Sequence, residues 1–240
     1  VNYQLIWEDQ FLNDGAPDPK IWKLETGGHG FGNNEFQYYT DHLKNCYIKD
    51  QILHIKAYKE KFSNREYTSA KLTTEDIKSI MYGKIEVMAK VPKGKGTWPA
   101  IWLLSDQFRK IGWPLCGEID MMESVGRNPN KIHFSLHSKK FNFHKDNQRT
   151  KVITDQTIYD DFHEYAIIWD EKSIAFLYDQ KIVETFYKKQ NDGLEEWPFN
   201  QSFYLILNLA IGGNWGGAVD DSLFPIDFLI KYVKVYERSE

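Results

Sequence analysis

At 240 residues, 42% of them hydrophobic, the chain is long enough to bury a sizeable core without disulfide or metal staples. A net charge of -4, with no run of basic residues, excludes a nucleic-acid partner, and no apolar run approaches the roughly 20 residues of a membrane-spanning helix. Aromatic residues make up 15%, more than a core of this size needs, and the surplus suits a groove that binds flat, half-apolar ligands such as sugars.

The chain opens at Val1 with no leader pattern and reads as a mature or trimmed protein. Gln4–Glu8 is a first strand. Gly27–Asn34 is rich enough in glycine to suggest a phosphate loop, but neither a Lys-Ser/Thr pair nor a helix follows, and Gly94–Thr97 fails in the same way. Alternating segments then recur at Ile52–Tyr58, Tyr67–Leu72, Gly83–Val91 and Thr97–Leu104, separated by turn residues. On the last of these Trp98, Ala100 and Trp102 share one face, so both indoles address the same side.

The stretch Cys116-Gly-Glu118-Ile-Asp120-Met-Met-Glu123 carries three carboxylates within six residues of an otherwise apolar run. Alternation puts Cys116, Glu118, Asp120 and Met122 on one face and drives Glu123 into whatever core lies behind, unpaired and expensive. One inserted residue, a β-bulge, returns Glu123 to the face of the other two acids. Three acids presented to one cleft suit glycosidic-bond hydrolysis, in which one carboxylate attacks the anomeric carbon and a protonated carboxyl releases the leaving oxygen. A separation of ~5–5.5 Å gives retention through a covalent intermediate. Like charges held close cannot all ionise, which keeps one proton in place at neutral pH. Spacing alone does not decide which Glu does which. A solvated acidic edge strand is the competing reading, opposed by the flanking Trp, Pro, Cys, Met and Ile, and a calcium loop would want Gly, Asn and Asp instead.

Beyond the acids, His133, Ser135 and His137 share a face; two histidines with no third ligand are a poor zinc site. Ser138–Thr154 reads as a polar connection. Strands resume at Phe162–Trp169, Ile174–Tyr178, Ile182–Phe186 and Phe203–Ala210. In the last, Leu205, Leu207 and Leu209 form a core face and Tyr204, Ile206, Asn208 and Ala210 a cleft floor. Gly212–Gly217 is a turn holding Trp215, and Ile230–Tyr236 closes the chain. With almost no helical periodicity and no linker or repeat, residues 1–240 read as a single all-β domain, an antiparallel sandwich. Cys46 and Cys116 are read as two free thiols.

Trp98-Pro-Ala-Ile-Trp102 followed by Trp113-Pro-Leu-Cys-Gly-Glu-Ile-Asp-Met-Met-Glu123 closely resembles the catalytic signature of glycoside hydrolase family 16. The extra residue before the last Glu is the form of its laminarinase-like, β-1,3-glucanase branch, not the shorter motif of lichenases. The resemblance runs from Trp7 to Tyr236. It implies a β-jelly roll of two antiparallel sheets with an open concave substrate cleft. It assigns Glu118 as nucleophile, Asp120 as its assistant and Glu123 as acid/base of a retaining endo-hydrolase. Gly-x-Gly-Asn-Asn-Glu-x-Gln-Tyr-Tyr-Thr resembles a segment lining the glycone side of the cleft, and Gly-Gly-Asn-Trp-Gly-Gly resembles a family loop. Trp98, Trp102, Trp113 and Trp215 are expected to stack on sugar rings, and Asn33, Glu35, His137 and Asn208 to meet hydroxyls.

Departures from the family pattern qualify this. Lys231 stands where relatives often place an Asp that binds a structural calcium; an ammonium cannot ligate calcium, so no cofactor is expected and that site should be empty or filled by the lysine. Lys71 and Met88 replace arginines, which puts the glycone contacts in doubt. The implied partner is a polysaccharide, the chain a monomer, and its location secreted, periplasmic or cell-surface. A non-catalytic carbohydrate-binding jelly roll, or a hydrolase of mixed-linkage glucan or of a marine galactan, are the alternatives. Lys139, Lys140 and Lys145 keep a sulfated substrate in play; the Trp-Pro-x-x-Gly lead-in favours glucan.

Overall fold

The computed structural model describes residues 1–239. In chain order its first elements are β1 (Asn2–Asp9), β2 (Lys23–Leu24), β3 (Gln37–Tyr39), β4 (Cys46–Lys49), β5 (Ile52–Phe62), β6 (Arg65–Ser69), β7 (Lys71–Thr73), β8 (Gly83–Lys90) and β9 (Thr97–Ser105). One helical turn, α1 (Phe108–Ile111), precedes β10 (Glu118–Glu123), β11 (Lys131–His137), β12 (Arg149–Thr154), β13 (His163–Trp169), β14 (Ser173–Tyr178) and β15 (Lys181–Tyr187). After β16 (Phe203–Ile211) come a second helical turn, α2 (Gly213–Gly216), and the long closing strand β17 (Ile226–Ser239).

These strands form two sheets. One has seven strands in the order β12-β11-β10-β9-β16-β7-β2. The other has ten, running β15-β14-β13-β8-β17-β5-β6-β3, with β1 also paired to β17 and β4 to β5. Pairings are antiparallel except that β3 lies parallel to β6, a departure from the purely antiparallel sandwich expected.

Alternation explains how the layers meet. Ile101 and Leu103, Ile132, Phe134 and Leu136, and Leu205, Leu207 and Leu209 point from the seven-stranded sheet into the core. Ile85, Val87, Ala89, Tyr165, Ile167, Val233 and Val235 come from the ten-stranded sheet to meet them. Each such side chain removed from water stabilises the sandwich by roughly 1.5–3 kcal/mol. Because every second residue is committed inward, the other face of the seven-stranded sheet is free to carry polar and aromatic groups. A second apolar cluster on that outer face (Leu104, Cys116, Tyr204 and Ile206, with Trp102, Phe108 and Trp113 against it) stiffens one end of it. Cys46 and Cys116 are buried free thiols.

Strand positions follow most of the alternating segments, but Tyr67–Leu72 divides into β6 and β7, which belong to different sheets, and the short strands β2, β3 and β4 fall outside them. The polar stretch 138–154 ends in a strand, β12, which escapes the pattern because it is a sheet edge with only half-buried and exposed residues. Gly212–Gly217 is not a bare turn: four of its residues wind into α2.

Candidate active site

The acids sit on β10, and its pairing shows how they come to face one way. Against β9, Glu118 lies opposite Leu104 and Asp120 opposite Trp102, then the register slips so that Met122 faces Ile101 and Glu123 faces Ala100. Against β11, Glu118, Asp120 and Glu123 meet His137, Ser135 and His133. Two residues of β10 therefore oppose one of β11 between Asp120 and Glu123, the count that defines a bulge. Met121 and Met122 both turn inward and are fully buried. Unbranched, pliable side chains tolerate that irregular stretch of core.

The carboxylates sit within a tight set of contacts. The Trp98 indole N–H donates to Glu123 Oε2 at 2.9 Å. His137 Nε2 lies 3.1 Å from Asp120 Oδ2 and 3.6 Å from Glu118 Oε2. Asp120 is 1% exposed, whereas the Glu118 side chain keeps 17%, the opening through which a reacting atom would be met. Burial pushes Glu118 well above the usual carboxylate range, and the charge of Asp120 adds to it. Burial and the charge of Glu123 do the same to Asp120. Glu123 is pushed up to about 7 by burial and then by Glu118, against the pull of the Trp98 hydrogen bond. Burial lowers His137 and outweighs Glu118, so the imidazole offers the acids a hydrogen bond more than a charge. Three carboxyls so placed hold a shared proton at neutral pH. Glu118, Asp120 and His137 also bring donor atoms within 4.8 Å of one another, a set able to hold a divalent ion. Such an ion would cover Glu118, so that use competes with nucleophilic chemistry.

The cleft over this sheet has a volume of about 760 Å³ and is lined by all eleven residues singled out in the sequence. Several of them are engaged with protein. Glu35 is buried and accepts from Gln37 Nε2 at 2.9 Å and Asn33 Nδ2 at 3.2 Å; burial raises its pKa, opposed by those donors. The Asn208 amide accepts from the Trp102 indole at 2.7 Å and donates to the Tyr39 hydroxyl at 3.0 Å. Asn208 therefore orients Trp102 and Tyr39; both ends of its amide already have protein partners. Trp215 meets Trp98 edge to face at 5.5 Å and His133 at 4.8 Å. The buried Trp113 indole N–H faces Glu118 and favours its ionised form, though outside full hydrogen-bond geometry.

Sequence reading missed other lining residues. Phe31, held at a left-handed φ of 49°, packs at a tilt against His29 and edge to face with Tyr39. Lys71 lies 3.0 Å from Glu25 and 4.9 Å over the Phe31 ring, so the lysine that departs from the family pattern does line the cleft. Met88 does not: it belongs to β8 in the opposite sheet and has no bearing on this face. Phe143, His144, Gln148 and Thr150 complete the wall beyond β11. Aromatic residues inside a polar hairpin connection between two cleft strands were the available signal. Two of the lysines kept in view for an anionic substrate are neutralised, Lys139 by Glu195 and Lys140 by Glu196. Lys231 is exposed on β17 with its ammonium 4.2 Å over the Phe162 ring.

The model of glycosyl hydrolases family 16 matches residues 33–228. A "Beta-glucanase" of Rhodothermus marinus is 42% identical over 251 residues, covering 100% of this chain and 87% of that protein. The "Glucan endo-1,3-beta-glucosidase A1" of Niallia circulans is 34% identical over 98% of this chain, which spans 38% of that longer protein. The X-ray structure of the laminarinase from Rhodothermus marinus superposes with a TM-score of 0.96 at 41% identity, covering 100% of this chain and 99% of that one.

Proposed function

From the premise that the chain belongs to glycosyl hydrolases family 16, we propose that it is a retaining endo-hydrolase of β-1,3-glucan of the laminarin type, acting through Glu118 and Glu123. The observation that carries this is the two-against-one register between Asp120 and Glu123, which puts three carboxyls on one cleft face. Glu118, reachable through its partly exposed edge, attacks the anomeric carbon. Glu123, about half protonated near neutrality, gives its proton to the leaving oxygen. Esterification of Glu118 then removes one negative charge from the cluster. That charge had been raising Glu123, so its pKa falls and it becomes the base for the incoming water. Asp120, a hydrogen-bonding neighbour of both, passes the electrostatic change between them and is itself held by His137.

Trp98, Trp102, Trp113 and Trp215 supply ring faces along the cleft, while Asn33, Glu35 and His137 present polar edges. The pairing of Lys139 and Lys140 with glutamates weakens the case for a sulfated galactan. A carbohydrate-binding domain would have no use for three clustered acids. Such an enzyme meets its polymer outside the cytoplasm, secreted, periplasmic or on the cell surface, and works as a monomer. Among the described residues no helix is long and apolar enough to cross a membrane.

Release of reducing sugar from laminarin, compared with mixed-linkage glucan, agar, porphyran and carrageenan, tests the reading. Laminarin is expected to be the best substrate. Glu118→Ser should abolish turnover while leaving folding and oligosaccharide binding in place, and turnover retained in that variant overturns the assignment.

A further inference from the structure

The loop joining β11 to β12 holds an aromatic side chain in a place the fold does not ask for. Phe143 is 43% exposed, yet nothing about it is loose. It starts a 3-10 turn, Phe143–Lys145, capped by Asn142, whose side-chain oxygen accepts from the His144 N–H at 3.0 Å. The buried Asn142 amide also donates to the carbonyls of Ser138 at 2.9 Å and Lys139 at 3.0 Å. From outside, the Lys139–Glu195 and Lys140–Glu196 pairs, with the Lys140 N–H on the Glu195 carbonyl, tie the loop to segment 188–196. A large apolar ring is thus kept partly in water by a buried polar clamp.

That ring belongs to a wall. Phe143 lies 5.1 Å from Trp113 at an interplanar angle of 35°, 4.2 Å from His144, and edge to face with His137 at 5.8 Å. His137 contacts the acids from β11, while on the other side of β10, beyond β9, the Glu35 segment is tied to β16 through the Phe36 N–H on the Ile211 carbonyl. The buried Trp113 N–H is turned toward Glu118, so this wall adjoins the attacking carboxylate. Flat apolar faces with polar edges nearby are what the face of a pyranose ring recognises.

We propose that Phe143, backed by Trp113 and His144, is a sugar-stacking platform that grips the leaving-group part of the glucan, on the side of the acids opposite Glu35. The side assignment rests on the reading above that the Glu35 segment lines the glycone side. The loop then decides how many sugar units beyond the cleaved bond contribute to productive binding. It also gives an incoming sugar hydroxyl a place to wait in competition with water when the glycosyl-enzyme is resolved.

The test follows the position of cleavage in laminarihexaose labelled at its reducing end, with the parent enzyme, Phe143→Ala, Phe143→Leu and Phe143→Trp. Loss of the platform should move cleavage toward the reducing end in the Ala and Leu variants. It should also lower kcat/KM on the hexaose by about five- to tenfold, the scale of one aromatic contact, and Trp should restore both. An unaltered cleavage pattern in Ala and Leu overturns the platform, and a shift toward the non-reducing end overturns its side. A parallel arm measures laminarihexaose binding by calorimetry in Glu118→Ser with and without Phe143→Ala. There a five- to tenfold weakening is expected, and equal affinities count against the platform even if the parent hydrolyses no β-1,3-glucan. The failure of the function and the failure of the platform are therefore read separately.

Discussion

Glu123 must hold a proton when it meets the substrate and lose it half a cycle later, and its surroundings are balanced for that. Burial and the neighbouring Glu118 raise it to about 7, while one indole N–H holds it down. The alkaline limb of the kcat/KM profile should therefore fall at about pH 7. Trp98→Phe removes the donor that favours the ionised carboxylate, so the limb should move to higher pH; a fixed limb would show that the hydrogen bond does not tune the acid. Glu123→Gln should lower kcat by ~10²–10⁴, the range of a lost general acid. At this scale the sequence announced the acids, because residue type and spacing alone demand a site. It could not announce that Asn208 serves Trp102 and Tyr39, since that depends on which side chains stand on neighbouring strands. For the same reason Met88 looked relevant to the cleft until its strand was placed in the other sheet.

Strands were legible where core aliphatic side chains alternate with polar or aromatic ones, as in β9 and β11, while β16, buried along its whole length, was legible from its apolar run. β12 was illegible because an edge strand with no buried residue has no alternation to show. The same limit hid Phe143 within a stretch that composition made look like plain linker. β13 carries a further consequence at the level of an element. His163 Nδ1 lies 2.7 Å from Asp179 Oδ2, and its Nε2 faces the Thr157 carbonyl at 3.2 Å, so both ring nitrogens meet acceptors. Burial pulls its pKa down, but the Asp179 hydrogen bond and the Thr157 carbonyl outweigh that and raise it. A raised folded-state value means that this latch contributes fully below the unfolded histidine value of ~6.5 and is lost as pH climbs through the folded one. Thermal unfolding followed from about pH 6 to about pH 9 should show that loss in the parent and a flatter profile in His163→Asn. Identical slopes would remove the charged imidazolium from the account.

For the whole molecule, two sheets and one outer face suffice to place every carboxyl the reaction needs, and the alternating pattern already implied that division of labour. What it did not imply was the one parallel pairing, β3 on β6, a two-sided choice that no local periodicity records. On the other sheet, Lys231 covers Phe162 with its ammonium where the family pattern suggests a cation ligand. Millimolar calcium should accordingly leave the melting temperature unmoved and EDTA should not lower it; a clear rise with calcium would mean that other oxygens hold the ion. Sedimentation at the mass of one chain is expected, and a stable dimer would contradict the monomer reading.

The paired methionines of β10 also constrain how such an enzyme can change over generations. Removing either one restores strict alternation ahead of Glu123 but leaves a single thioether where the interior was shaped around two. A lineage passing between this longer motif and the shorter one must therefore alter its reading of the strand and refill a hole in the same step. Variants caught halfway would be poorly packed, inactive or both, so the two motif lengths should persist as separate branches with few intermediates between them.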